Sequence, residues 1–116
     1  MLRSSAAPRA RRPADPALLF AALGDRTRLR LIDQLADGVP RSIASLAEDG
    51  TITRQAVTKH LRVLEGAGLV RSTRSGRESR FAFRAAPLAE ARAYLDSVSR
   101  QWDDALGRLR ALVEGP

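Results

Sequence analysis

The sequence predicts a mainly α-helical domain of five helices with one two-stranded β-hairpin, and three changes of hydrophobic rhythm predict it. Apolar residues recur at three-and-four spacing from Ala56 to Ala67. They fall into simple alternation around Phe81 and Phe83, and a four-and-three rhythm then runs from Leu88 to Leu112. A chain of 116 residues has room for one compact domain with a single core. With 44% apolar and only 4% aromatic residues, that core is expected to be Leu, Val, Ile and Ala.

Residues 1–14 contain Arg3, Arg9, Arg11 and Arg12 with prolines at 8 and 13. They bury too little apolar surface to offset ordering entropy, so a disordered basic arm is expected; a solvated tail and a contact to a minor groove both remain open for it. From Pro16, the stretch Ala17 to Leu23 is apolar and ends at Gly24, which reads as a fully buried first helix. Asp25 is placed to cap a second helix whose inward face is Leu29, Ile32, Leu35 and Ala36, with Arg26 and Arg30 outward. Asp37-Gly38 ends it, and Pro40 forbids continuation.

A third helix from Ser42 to about Asp49 presents Ile43, Leu46 and Ala47 inward, and Asp49-Gly50 signals a turn. Thr53 then caps a fourth helix carrying Ala56, Val57, His60, Leu61, Leu64 and Ala67 at half-buried spacing. Two helices joined by so short a turn are a helix-turn-helix signature. Leu69 to Arg74 and Arg77 to Arg84, around Ser75-Gly76, form the hairpin, which beside such a helix is a wing. From Pro87 to Glu114 one long helix holds Leu88, Ala91, Leu95, Val98, Trp102, Ala105, Leu109 and Leu112 on one seam. A small domain covers only part of that seam, which argues for a partner chain, most simply an identical one; folding back onto its own core is the alternative. The domain boundaries expected are therefore 15–86 for the winged helix-turn-helix body and 87–116 for the last helix, which belongs to the same domain.

The net charge is +7, and all but one of the 20 basic residues are Arg. That points to a polyanionic partner, nucleic acid ahead of a membrane surface, although an Arg-rich and Ala-rich composition also follows from a GC-rich genome. Residues 1–84 carry sixteen basic against eight acidic side chains, and residues 85–116 four against five. Residues 50–84 alone carry eight against two. A solvated face accounts for such a run taken alone; the helix-turn-helix pattern beneath it favours double-stranded DNA.

The absence of cysteine removes disulfides, thiolate metal sites and thiol chemistry. No apolar run approaches the ~18 residues of a membrane span, and the N-terminus lacks an apolar secretion segment, so no membrane partner and a cytoplasmic location are expected. His60 is the single histidine and makes no closed metal site; packing or a phosphate contact is its expected role. No phosphate-cradling glycine loop, nucleophile elbow or paired helix histidines occur, and Asp96, Asp103 and Asp104 read as salt-bridged helix surface. No enzyme, metal or cofactor is expected.

A helix fits the major groove, where each base pair has its own donor and acceptor pattern. Removing the core positions from the fourth helix leaves Arg54, Gln55, Thr58, Lys59 and Arg62. Arg54 and Gln55 suit bidentate contact with guanine and adenine, and Thr58 offers a methyl and a hydroxyl one turn later. Lys59, Arg62 and Thr53 suit phosphates. At the hairpin, Arg74 and Arg77 flank Ser75-Gly76 with Arg80 nearby, either as backbone contacts or as an ordinary solvated turn.

Three segments, Ala22 to Arg28, Thr53 to Leu64 and Ala67 to Val70, resemble the ArsR/SmtB family of bacterial winged-helix repressors, over residues 17–113. The resemblance implies a homodimer clasped by its first and last helices, binding an imperfect palindrome and repressing transcription. It maps the base-reading positions onto Arg54, Gln55, Thr58 and Lys59. It also implies a dimer seam of Leu18, Leu19, Leu88, Leu95, Val98, Trp102, Leu109 and Leu112. Metal-sensing members place cysteines in the third helix or Asp/His pairs on the last, whereas this chain has Ser42-Ile43-Ala44-Ser45-Leu46 and no histidine beyond 60. It therefore resembles a metal-independent branch, often encoded beside START-like ligand-binding proteins, whose small-molecule or protein effector the sequence does not name. Gly50-Thr51 departs from the family, which places glycine at the later position. Two other functions stay open: a DNA-coating protein that reads no sequence, and a winged helix that docks onto a protein.

Overall fold

The carboxylate of Asp15 accepts from the Ala17 amide at 3.0 Å and opens α1 (Pro16–Leu23), with proline in the first turn where its missing amide is not needed. A computed structural model describes residues 15–115; the expected arm at 1–14 lies outside the described residues. Only Leu19 and Ala22 of α1 are buried, and Leu18 is exposed. The first helix is thus not fully buried, as its composition suggested, because its own domain covers one side of it. Leu19, expected at a dimer seam, belongs instead to the core of its own chain.

Asp25 caps α2 (Arg26–Leu35), accepting from the Thr27 and Arg28 amides at 2.8 and 3.1 Å. Those bonds, the Arg28 amide first, hold its carboxyl below the usual carboxylate range. The inward face is Leu31, Ile32 and Leu35, with Leu29 and Ala36 exposed, a correction to the face expected from sequence. At about 100° per residue, centring the face on Leu31, Ile32 and Leu35 turns Leu29 outward and brings Arg28 inward. Arg41 closes the far end of α2, its Nε donating to the Gln34 carbonyl at 3.0 Å and an Nη to Asp37 at 2.7 Å. Asp37 and Asp49 are likewise held below the usual range, chiefly by the amides of Val39 and Thr51.

Next come β1 (Arg41–Ser42), α3 (Ile43–Leu46) and α4 (Arg54–Gly66). The Ser42 hydroxyl accepts from the Ser45 amide and caps α3, which is one turn long rather than reaching Asp49. Leu46 is buried, and Ile43 and Ala47 pack against the core as expected. On α4, Val57, Leu61 and Leu64 are wholly buried, while Ala56 and His60 are half-buried. Gly68 ends that helix at φ 77°, a left-handed value open to glycine, and the Leu69 amide donates to the Leu64 carbonyl at 2.9 Å.

The hairpin is β2 (Val70–Ser75) and β3 (Glu78–Phe83), and β1 adds to it, giving an antiparallel sheet in the order β1-β3-β2. The third strand was not expected from sequence. The turn is Gly76-Arg77, one residue later than Ser75-Gly76, with Gly76 at φ 64° as a hairpin turn with glycine first requires. Phe81 is buried and Phe83 half-buried, so the hydrophobic alternation was correctly placed. Leu19, Leu31, Leu35, Val57, Leu61, Leu64 and Leu69 are the largest fully buried side chains, an aliphatic core.

α5 (Ala86–Glu114) packs its first third on this core through Pro87, Leu88 and Ala91, and Tyr94 meets the Phe20 ring of α1 at 6.0 Å between centroids. Beyond Val98 only Ala105 is even half-covered.

The burial of α2 predicts unequal losses: Leu31→Ala lowers unfolding free energy by about 2–5 kcal/mol, whereas Leu29→Ala changes it by about 0.5 kcal/mol or less. Urea titration of both variants checks this. The lowered carboxylates also set a pH trend. Their stabilisation is complete at neutral pH and is lost as pH falls through their lowered values. The urea midpoint therefore drops from pH 7 to pH 3, and Asp25→Asn narrows that drop while lowering the midpoint at pH 7.

Candidate nucleic-acid interface

Thr53 holds extended backbone angles before α4, and its hydroxyl oxygen accepts from the Ala56 amide at 3.0 Å. The bond fixes where α4 begins and leaves the Thr53 O–H proton to donate outward. Because Val57, Leu61 and Leu64 commit one face of α4 to the core, Gln55, Lys59 and Arg62 are turned to the opposite face. All three are exposed.

Thr53, Gln55, Ala56, Thr58, Lys59 and Arg62 line one open surface groove. Arg54 does not line it. As the first residue of α4 it lies toward the core side in helical angle and is exposed because the core ends before it. Arg54 therefore stands at the mouth of the helix and the other residues along its flank. Thr58 is half-buried, and its hydroxyl donates to the Arg54 carbonyl at 2.8 Å. The hydroxyl proton that the sequence offered for base contact is spent on the helix backbone; the methyl group and the oxygen lone pairs remain. Among the described residues, no hydrogen bond or ion pair engages the side chains of Arg54, Gln55, Lys59 or Arg62.

The wing is tied to this helix. Val70, Ser72 and Arg74 stand opposite Phe83, Phe81 and Ser79, so they share the sheet face that carries the buried Val70 and Phe81. On that face the Ser72 hydroxyl donates to Glu65 of α4 at 3.0 Å. Arg74 continues the same face toward the tip. β1 pairs only with Phe81 and Arg80, so beyond Arg80 the ribbon is two-stranded and its end, with Arg77 in the turn, stands clear of the sheet.

Arg80 occupies the opposite face from Arg74, and its Nε donates to Glu78 at 3.0 Å in an exposed ion pair. The register thus places Arg74 and Arg77 at or beside the tip, and Arg80 on the face opposite Arg74. Sequence reasoning missed Arg28, whose inward position follows from the face of α2, and it missed the Glu65–Ser72 link, which no periodicity announces. Among the described residues no group of three or more His, Cys, Asp or Glu could hold a metal ion, and no helix is long and apolar enough to cross a membrane.

Comparison with known proteins gives a consistent match. A helix-turn-helix domain model matches residues 23–73. The HTH-type transcriptional regulator Rv2034 of Mycobacterium tuberculosis is 34% identical over 99 residues, covering 85% of this chain and 89% of that protein. An ArsR-like transcriptional regulator from Rhodococcus sp. RHA1 is 36% identical, with a TM-score of 0.78 over 84% of this chain and 89% of its own. The cadmium sensor CMTR of M. tuberculosis, solved by NMR, is 41% identical, with a TM-score of 0.52 over 67% of this chain and 77% of its own. With no cysteine in its sequence, this chain offers no thiolate ligand for such a metal.

Thr53→Ala removes the α4 cap, and calorimetric or urea unfolding is expected to show a loss of about 0.5–2 kcal/mol.

Proposed function

The chain belongs to the ArsR family of DNA-binding, winged helix-turn-helix transcriptional regulators, and on that premise we propose that it is a homodimeric repressor of a palindromic operator. The observation that carries the proposal is the pairing of a basic, unpartnered reading face on α4 with an apolar stripe that its own domain leaves bare. Leu18 of α1 and Leu95, Trp102, Leu106, Leu109 and Leu112 of α5 are all more than half exposed, Trp102 by 64% and Leu112 by 81%. A contiguous apolar stripe of that length on a soluble domain marks an interaction surface. Its four-and-three repeat is self-complementary, so a second copy is the simplest cover.

In the dimer, two copies of α4 enter successive major grooves about 34 Å apart on one side of the duplex. Gln55 and the Thr58 methyl read base edges along the flank and Arg54 at the helix mouth, with Lys59 between bases and phosphates. Thr53, Arg62, Arg74 and Arg77 hold the backbone. Arg80 contributes less, because Glu78 already neutralises it. Occupation of promoter DNA by the dimer represses transcription, and the action is binding without catalytic turnover.

Binding to a duplex selected from a random-sequence pool tests the proposal, with unselected DNA as competitor. Arg54→Ala and Gln55→Ala each lose about 1–3 kcal/mol and relax the preference at particular base pairs. Arg77→Ala weakens all sequences alike and lowers the salt slope by about one. Equal losses on selected and unselected DNA from Arg54→Ala would sink base reading. Leu95→Glu or Leu109→Glu is expected to give a monomer in sedimentation and to weaken binding to the selected duplex; an intact dimer removes those residues from the seam.

A further inference from the structure

Arg28 is the one charged side chain on the inward face of α2, 16% exposed, and its guanidinium joins three helices. Its Nε donates to the Ala22 carbonyl of α1 at 2.6 Å and one Nη to the Ala21 carbonyl at 3.0 Å, taking up the C-terminal end of α1. The other Nη lies 3.3 Å from Nδ1 of His60 on α4 and 3.8 Å from the Asp25 carboxylate. A guanidinium has no lone pair to offer, so at this contact Nδ1 of His60 accepts and the imidazole proton sits on Nε2. The contact therefore exists for the neutral ring and is lost when His60 is protonated, which also places two cations side by side.

We propose that Arg28 and His60 form a proton-sensitive strut that positions the recognition helix α4 relative to α1, so that protonating His60 weakens operator binding. The proposal rests on the DNA-binding reading above and adds a positioning pair to it. Few charged groups face His60. Arg28 and Asp25 face it from α2 and its cap, and Asp25 is already engaged by the Thr27 and Arg28 amides. α1 and α3 carry no charged side chain, β2 meets α4 at Glu65 beyond His60, and on α4 itself the cations Lys59 and Arg62 are turned to the opposite face. Imidazoles in general change charge between about pH 5 and 8, and that is the window over which the strut is tested.

Because the chain has one histidine, its ring nitrogens are read without ambiguity by long-range ¹H–¹⁵N NMR of the DNA-free protein. The expected result is the Nε2–H tautomer at pH 7.5, and amide shifts from α4 and from Ala21 to Arg28 that move together as the ring titrates. The Nδ1–H tautomer, or a ring that titrates while those amides stay still, would overturn the proposal whatever the DNA result. Affinity for a duplex selected from a random pool at pH 7.5, measured at fixed ionic strength, falls as pH drops to 5.5, by up to about tenfold per pH unit for one linked proton. His60→Asn, whose amide oxygen accepts but does not titrate, flattens that profile. Arg28→Lys, confirmed folded by circular dichroism, binds the duplex several-fold more weakly and loses the pH dependence. Affinity that rises on acidification would make His60 a phosphate contact instead and reject the strut. Failure of the wild type to prefer the selected duplex at any pH refutes sequence-specific binding, while the DNA-free titration still decides the strut.

Discussion

Burial of Val57, Leu61 and Leu64 is the constraint on which this molecule depends. An α-helix that gives one stripe to a core has no choice about what it shows on the other side. With those three side chains seated, Gln55, Lys59 and Arg62 face away from the domain, and Thr58 lies on the flank with its hydroxyl turned back to the Arg54 carbonyl. The chemistry of that exposed face is thus a by-product of hydrophobic packing, and so is its rigidity, because rotating α4 to change what it presents would take Val57, Leu61 and Leu64 out of the core. Burial of such side chains is worth roughly 1.5–3 kcal/mol each, far above the few tenths that any single exposed contact on that face supplies.

The wing inherits its position from the same helix. Gly68 turns the chain out of α4 in a left-handed conformation, Leu69 and Val70 are buried immediately afterwards, and the Ser72–Glu65 hydrogen bond fastens the strand back to α4. Alternation along the ribbon then decides which arginines accompany the recognition helix. Arg74 lies on its side, and Arg80, an even number of positions from Ala82 and opposite Thr73, lies on the other. In sequence these residues look like one basic cluster, but strand geometry divides them into two faces.

That division shows what the sequence could and could not disclose. Long, strongly periodic segments were legible: α4, the hairpin and α5 all stand where their rhythms placed them, and Asp25, Ser42 and Thr53 mark the helix starts, Asp25 and Thr53 by capping as expected. Short elements were not. β1 has two residues, too few to show any period, and exists because Phe81 and Arg80 offer it a pairing edge. α2 was read one face off, since Leu29, Leu31, Ile32 and Leu35 in ten residues fit two helical faces and only packing chooses between them. The reading that put Leu29 inside gave Arg28 no place on the inward face, so a guanidinium engaged with α1 and α4 went unnoticed. The wholly apolar α1 suggested complete burial, but composition reports what a helix would hide and not whether its own chain is large enough to hide it.

Size settles that last point. A helix of 29 residues extends about 43 Å, at about 1.5 Å per residue, whereas a domain of about 100 residues has a radius of gyration near 13 Å. α5 outlasts the core that its first third packs upon, and Trp102, Leu109 and Leu112 are left exposed together with Leu18. Recognition meets a parallel shortage. One helix reads a few base pairs, each good bidentate contact discriminates by about 1–3 kcal/mol, and specific regulators separate their sites from bulk DNA by about 4–10 kcal/mol. On the proposed reading, a single copy of Arg54, Gln55 and Thr58 would fall near the bottom of that range, and two copies on one rigid frame would reach well into it. The uncovered stripe and the small size of the proposed reading face are two consequences of one small domain, and the proposed second copy of the chain would answer both.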